Sequence, residues 1–481
     1  MESKPHVVII PFPSEEHVDP MLKFAKILHA KGFYITFVHS EYNYQRLLNT
    51  RGPSSLDGLP DFRFETFLDG IPSPEIDRTK DLPSLLGSIM QNGLPAIRDV
   101  VVGLNNNTNV PPITYIVSDN VMSFTFYVAK EISVPLSYFW ATSACGLLGN
   151  LHVKDVVEKG LSPLKDEADL VNGYLETRLD WIPGMNNVRL KDMSSFIRTT
   201  DANDFKLNLV INESKTCYSA TSIIINTFQD LDSSVLEALS SLLPPVYEIG
   251  PLDLLYDKMI ADKPSAIESM GANLSKEDPE CLEWLDTKAP GSVVYVYVEC
   301  ISMMTNKQLT ELAWGLCNSN KDFVWINISP EGDMMLFPEG FLEKTKERSM
   351  FSKWCSQNDV FNHPAIGGLV TNCYYNSISK SICGGVPMLC LPIFSEQMTN
   401  CRYSCVEWNV GLEIDSDVKR DEVTSLITEL MDGEKGKDMR TNAKKLKAKA
   451  IAATQKGGSS FTKMNNLVDE FHKKGGSFKE S

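Results

Sequence analysis

His17 lies in PFPSEEHVDP, after a short β-branched run and before an amphipathic segment. An imidazole at a strand–helix junction can take or give a proton near neutral pH. Asp119 lies in YIVSDNVMSF, at a second junction of the same kind. A carboxylate there can hold an imidazole in one tautomer and stabilise its charged form. The same spacing suits a helix N-cap, and sequence does not separate the two roles. A third stretch, TNCYYNSISKS at 371–381, reads as a strand running into a helix start, where backbone N–H groups can receive an anion. It carries Asn372, Lys380 and the adjacent Tyr374 and Tyr375, where a tight anion pocket favours small side chains.

Short strands and helices must position these residues. HVVIIPFP reads as a buried parallel strand, DPMLKFAKILHAKG as a helix ended by glycine, and FYITFVHSEY as the next strand. The alternation recurs in ITYIVSDN, MSFTFYVAKEIS and PLSYFWATS, and after residue 290 in SVVYVYVEC, TNKQLTELAWGLCNS and DFVWINI. Strands alternating with helices predict doubly wound α/β sheets, with ligands beyond the carboxyl ends of the strands. A chain of 481 residues is too long for one core. The polar stretch 256–280 reads as an exposed connection. The expected division is an N-terminal domain over 1–255, a linker over 256–285, a C-terminal domain over 286–460, and a last helix over 461–481 that packs back on the N-terminal domain.

The net charge of −16 argues against a nucleic-acid partner, which would be repelled. MESKPHVVIIPFP has no long apolar run and no small-residue cleavage site, and no stretch approaches the ~20 apolar residues of a membrane span. Eleven scattered cysteines without a CxxC pair read as reduced thiols, so the expected location is the cytoplasm. Oligomeric state is not readable.

WCSQNDVFNHPAIGGLVTNCYYNSISKSICGGVPMLCLPIFSEQMTN, at 354–400, resembles the donor-binding signature of plant family-1 UDP-dependent glycosyltransferases. IIPFPSEEHVDPMLKFAKILHAKGFYITFVHSEYN and SDNVMSF resemble that family's catalytic histidine and aspartate segments. LDWIPGMNNVRLKDMSSFIRTTD, INTFQDLDSSVLEAL and PPVYEIGPL resemble its iridoid and terpenoid branch, including 7-deoxyloganetin glucosyltransferases. The resemblance spans essentially the whole chain. It implies a GT-B fold: two Rossmann-like domains facing across a cleft, acceptor in the first and UDP-sugar in the second. It assigns His17 and Asp119 as the catalytic pair. It assigns Trp354 to the uracil, Gln357 to the ribose, Asn376 and Ser377 to the phosphates, and Glu396 and Gln397 to the glucose hydroxyls.

Against that pattern several donor-site residues depart. Asn372, Tyr374 and Tyr375 stand for His, Gly and Trp, and Lys380 stands for a ribose-gripping Glu. Glu299 and Cys300 stand for a Gly-Ser pair, Glu16 for a Gly, and Ala141 for a Thr. If Glu16 and Glu299 each faced the diphosphate, each would cost ~1–2 kcal/mol. The lost ribose contacts would cost ~1–3 kcal/mol. Together these weaken donor binding by ~10³-fold. The expectation is therefore a repurposed enzyme. It would perform sugar-independent acid–base chemistry (cyclisation, isomerisation, elimination or addition) on a small apolar terpenoid, iridoid or alkaloid, with no cofactor and no metal. The alternative is an inverting UDP-glucose-dependent O-glucosyltransferase of a small-molecule hydroxyl. The third reading is a non-catalytic metabolite-binding protein.

Overall fold

In the computed structural model of the chain, residues 4–71, 82–260, 267, 270, 278–298, 304–326 and 337–477 are described. The chain divides into two compact units, one from 1–144, 211–276 and 452–481, the other from 145–210 and 277–451. The first unit holds seven parallel strands: β1 (His6–Ile10), β2 (Tyr34–Ser40), β3 (Phe62–Phe67), β4 (Ile113–Asp119), β5 (Leu136–Trp140), β6 (Ser222–Ile225) and β7 (Val246–Glu248). Their spatial order is β3-β2-β1-β4-β5-β6-β7. The chain winds outward from β1 to β3, then returns to β4 on the other side of β1. The switch point of this doubly wound sheet is therefore the β1/β4 edge. Ile10 pairs with Ser118, so the end of β4 at Asp119 and the chain leading from β1 into the helix that carries His17 emerge side by side.

The second unit repeats the plan with β8 (Val293–Tyr297), β9 (Asp322–Ile326), β10 (Ser349–Ser352), β11 (Ile366–Thr371), β12 (Met388–Cys390) and β13 (Gly411–Glu413). The order is β10-β9-β8-β11-β12-β13, all parallel, so its switch point lies between β8 and β11. Strand β11 tolerates no side chain at Gly367, where a Cβ would sit 2.2 Å from the Gly291 carbonyl oxygen.

Helix Glu15–Ala30 forms because Val18, Met21, Leu22, Ala25 and Leu28 recur on one face and bury against the first sheet. Glu15 and Glu16 fill its first turn, where negative charge complements the helix dipole. Helix Ser459–Ser477 covers β4 and β7; Phe471 stacks on Tyr115 at 3.9 Å, and Tyr247 Oη donates to Glu470 at 2.5 Å. The second core gathers Val294, Val296, Leu312, Trp325, Val370 and Leu389.

The grouping of 145–210 with the second unit differs from the sequence division at residue 255. The reason is a set of long-range hydrogen bonds. Ser195 N donates to the Ser395 carbonyl at 3.0 Å, Ser395 N donates to Ser195 Oγ at 2.8 Å, and Thr399 Oγ1 donates to the Asp192 carbonyl at 2.7 Å. The expected linker is partly helical, at Leu252–Ile260 and Glu280–Asp286, and Ile267 and Met270 lie in the first unit's core. Its residues 261–266, 268–269 and 271–277 lie outside the described residues. Among the described residues no helix is long and apolar enough to cross a membrane.

Candidate active site

At the first switch point, His17 Nδ1 lies 2.6 Å from Asp119 Oδ2. A carboxylate only accepts, so Nδ1 carries the proton and Nε2 is the basic nitrogen of the neutral ring. The Asp119 side chain is fully buried and that of His17 is 14% exposed. The two sequence readings of Asp119 coexist, because its other oxygen, Oδ1, accepts from Val121 N at 2.9 Å. One carboxylate oxygen thus fixes the backbone turn and the other fixes the imidazole. Phe12 packs edge-on against the His17 ring with centroids 5.3 Å apart.

Sequence reasoning missed Glu213. It is buried on helix Phe205–Cys217, and its Oε1 has no hydrogen-bond partner among the described residues. Burial, and then the Asp119 charge, push its carboxyl well above the usual carboxylate range. In INESKT it looks like any acid on a helix face, so no sequence signal marks it. Glu16 sits in the first helical turn with Oε2 buried. Ala141 is buried just after β5, and the preceding Trp140 donates through Nε1 to the Ser143 carbonyl at 3.0 Å.

In the second unit the remaining predicted residues follow the carboxyl ends of parallel strands, on one edge of the sheet. Asn372 is buried just after β11. Cys373 adopts the left-handed region, φ +67°. Tyr374 precedes helix Tyr375–Gly384 at φ −62°, ψ 135°, which any L-residue adopts, and gives the helix no side-chain cap. The strained position is therefore Cys373, and Tyr374 needs no glycine-like backbone. Tyr375, Asn376 and Ser377 are buried in the first turn, and Lys380 is half-buried one turn later.

Trp354 and Gln357 follow β10, and both are largely buried. Glu396 and Gln397 follow β12. Gln397 Oε1 accepts from Ile393 N at 2.8 Å and Phe394 N at 3.0 Å, which shapes the loop; Ser395 Oγ donates to Glu396 Oε2 at 2.6 Å. Ser395 is itself left-handed, φ +57°, and is pinned by Ser195, a partner that no local pattern in the sequence announces. Glu299 and Cys300 lie outside the described residues.

Three buried polar atoms on three of these loops lack a partner among the described residues: Ser377 Oγ, Gln357 Oε1 and Gln397 Nε2. A buried unpaired polar group costs ~1–3 kcal/mol. Three at one sheet edge leave hydrogen-bonding capacity that a polar ligand or ordered water can fill. They combine acceptor and donor chemistry, which fits a hydroxyl-rich nucleotide sugar.

Two doubly wound parallel units, with an acid–base dyad at one switch point and a polar corner at the other, define the GT-B class of glycosyltransferases. The sequence profile of the UDP-glucoronosyl and UDP-glucosyl transferase family matches residues 206–447, and the chain belongs to that family, in its plant family-1 iridoid branch. It is 51% identical over 474 residues to a 7-deoxyloganetin glucosyltransferase of Gardenia jasminoides, covering 97% of this chain and 98% of that one. It is 48% identical over 471 residues to a 7-deoxyloganetin glucosyltransferase of Catharanthus roseus, covering 97% and 96%. The solved structure of Os79 from O. sativa in complex with UDP matches with TM-score 0.79 at 26% identity, covering 97% of this chain and 100% of that one.

These findings overturn two expectations. Sugar-independent acid–base chemistry does not stand against near full-length relatives that are glucosyltransferases. The expectation that no donor is required falls with it. The ~10³-fold affinity loss took Glu16 and Glu299 as facing the phosphates and Lys380 as unable to hold the ribose. Glu16 lies in a helix first turn, where the dipole favours its charge, and Glu299 lies outside the described residues.

Proposed function

We propose that the chain is an inverting O-glucosyltransferase that moves glucose from UDP-glucose to a hydroxyl of a small apolar plant metabolite, an iridoid or another terpenoid alcohol. The observation that carries the reading is the 2.6 Å His17–Asp119 pair, with its basic nitrogen set by the buried carboxylate. The names of the near full-length relatives support the donor and the acceptor class. When bound, UDP-glucose supplies an electrophilic anomeric carbon and a diphosphate leaving group. Trp354 would stack on the uracil, Gln357 would bind the ribose, Asn376 and Ser377 the diphosphate, and Glu396 and Gln397 the sugar hydroxyls.

His17 Nε2 takes the acceptor hydroxyl proton as the oxygen attacks. Asp119 stabilises the imidazolium that forms. Burial raises the Glu213 carboxyl well above the usual carboxylate range, which opposes a second charge behind Asp119. The ten described cysteines are all free thiols, which supports a reducing, cytoplasmic setting.

The test is incubation with UDP-glucose and a panel of iridoid and terpenoid alcohols, read by mass detection of glucosides and by UDP release. Acceptor-dependent release of UDP with a glucoside of inverted configuration is expected. A folded protein that binds the alcohols yet forms no glucoside would overturn the reading.

A further inference from the structure

Four cysteines of the second unit meet at one point. Cys373 follows β11, Cys390 ends β12, and Cys401 lies on helix Gln397–Arg402. Their three sulfurs lie within 4.8 Å of one another, and all three residues are buried. Cys405, one turn further on and half-buried, places its sulfur 4.0 Å from that of Cys401. It also interacts with Cys390. All four are free thiols.

A single buried cysteine is an ordinary small hydrophobe. Four from four chain positions with converging sulfurs are a different arrangement. A tetrahedral zinc site with Zn–S bonds of ~2.3 Å sets its sulfurs ~3.8 Å apart. The Cys401–Cys405 separation of 4.0 Å is already near that value, and the 4.8 Å bound on the Cys373, Cys390 and Cys401 sulfurs requires a contraction of up to about 1 Å. A sulfur-only tetrahedral set suits zinc, as it suits other thiophilic metals, and disfavours hard ions such as Mg2+ and Ca2+.

We propose that Cys373, Cys390, Cys401 and Cys405 form a zinc-binding thiolate site. Zn2+ would displace thiol protons to solvent as the Zn–S bonds form, with no change of oxidation state. The ion would tie together two loops that the proposed function assigns to the donor. Cys373 directly precedes Tyr374 and the helix start at Asn376 and Ser377, and Asn400 Nδ2, next to Cys401, already donates to the Cys373 carbonyl at 3.0 Å. The consequence for the donor rests on that functional reading; the metal site does not.

The test uses the reduced, chelator-treated full chain and reads metal directly, not glucosyl transfer. Titration with Cd2+ should give a thiolate-to-metal charge-transfer band that saturates at one ion per chain. Zn2+ should compete for it and protect three or four thiols from alkylation. Cys405→Ser, at the half-buried position, should weaken Zn2+ binding by more than the ~10–100-fold typical of outer-sphere partners. Cys317→Ser, outside the cluster, should leave it unchanged. Cys390→Ser should act like Cys405→Ser; if it fails to fold, thiol protection in the unaltered protein still decides. No saturable band, two or fewer protected thiols, or unaltered affinity in folded Cys405→Ser would overturn the site, whether or not the chain transfers glucose.

Discussion

The two switch points are built on the same plan and finished differently. At β1/β4 the chain completes its own site: Asp119 commits one oxygen to Val121 and the other to His17. On the carboxyl-end edge around β8/β11, Ser377 Oγ, Gln357 Oε1 and Gln397 Nε2 stay buried and unpaired among the described residues. The first is a paired imidazole and carboxylate, with Glu213 Oε1 buried and unpaired among the described residues beside it. The second is a buried polar surface with hydrogen-bonding capacity left over. Most departures from the family pattern fall on the second, where a ligand shares the contacts. A residue type read against a pattern is therefore a safer guide to the first site than to the second.

The largest expected effect breaks the first site alone. His17→Ala should lower kcat/KM for glucosyl transfer by ~10²-fold or more, with UDP affinity nearly unchanged. Asp119→Asn should match it without unfolding. Its remaining oxygen can keep the bond to Val121 N, while the amide presents a donor to Nδ1 and imposes the wrong tautomer. Steady-state kinetics beside calorimetry with UDP check this. A parallel collapse of UDP affinity would mean that the two sites are not separable in this way.

How much of this was legible follows the same division. The strand–helix alternation marks both sheets, and His17 and Asp119 stand out because each lies at a strand–helix junction, Asp119 at the end of β4 and His17 in the first turn of the helix after β1. Glu213 does not stand out, since its role depends on burial beside Asp119 and not on its neighbours in sequence. The orphaned atoms are invisible without coordinates, because hydrogen-bond accounting is three-dimensional. The resemblance gave the residue type at 374 but not the backbone angles, so it did not mark Cys373 as the left-handed position of this corner. The Ser195–Ser395 bonds span two hundred positions and leave no local pattern.

A smaller effect sharpens the second site. Gln397→Glu keeps the acceptor that shapes the loop at Ile393 and Phe394 but replaces the orphaned Nε2 donor with another acceptor. It should raise KM for UDP-glucose by ~10-fold, the value of one hydrogen bond to a sugar hydroxyl. UDP alone, which lacks the sugar, should bind as before. Equal losses for UDP and UDP-glucose would move Gln397 away from the sugar and onto the nucleotide.

The smallest effect returns to the first site and tests its isolation from solvent protons. Glu213 has an ordinary value of 4.5 and is held well above it by burial. Above about pH 4.5 the unfolded chain releases this proton while the folded chain keeps it. The folded state then binds more protons, so stability falls as pH rises towards the folded value, by ~1.4 kcal/mol per pH unit for one proton. Gln is neutral at every pH and removes that loss. Glu213→Gln should therefore melt near the parent at about pH 4.5 and above it at about pH 8, by ~2–4 °C for each kcal/mol recovered. Thermal melts across this range check the slope. A gain that is the same at both ends would show that Glu213 is already ionised in the folded protein. The carboxylate behind Asp119 would then be a second negative charge on the dyad, and Glu213→Gln should weaken the base by destabilising the imidazolium.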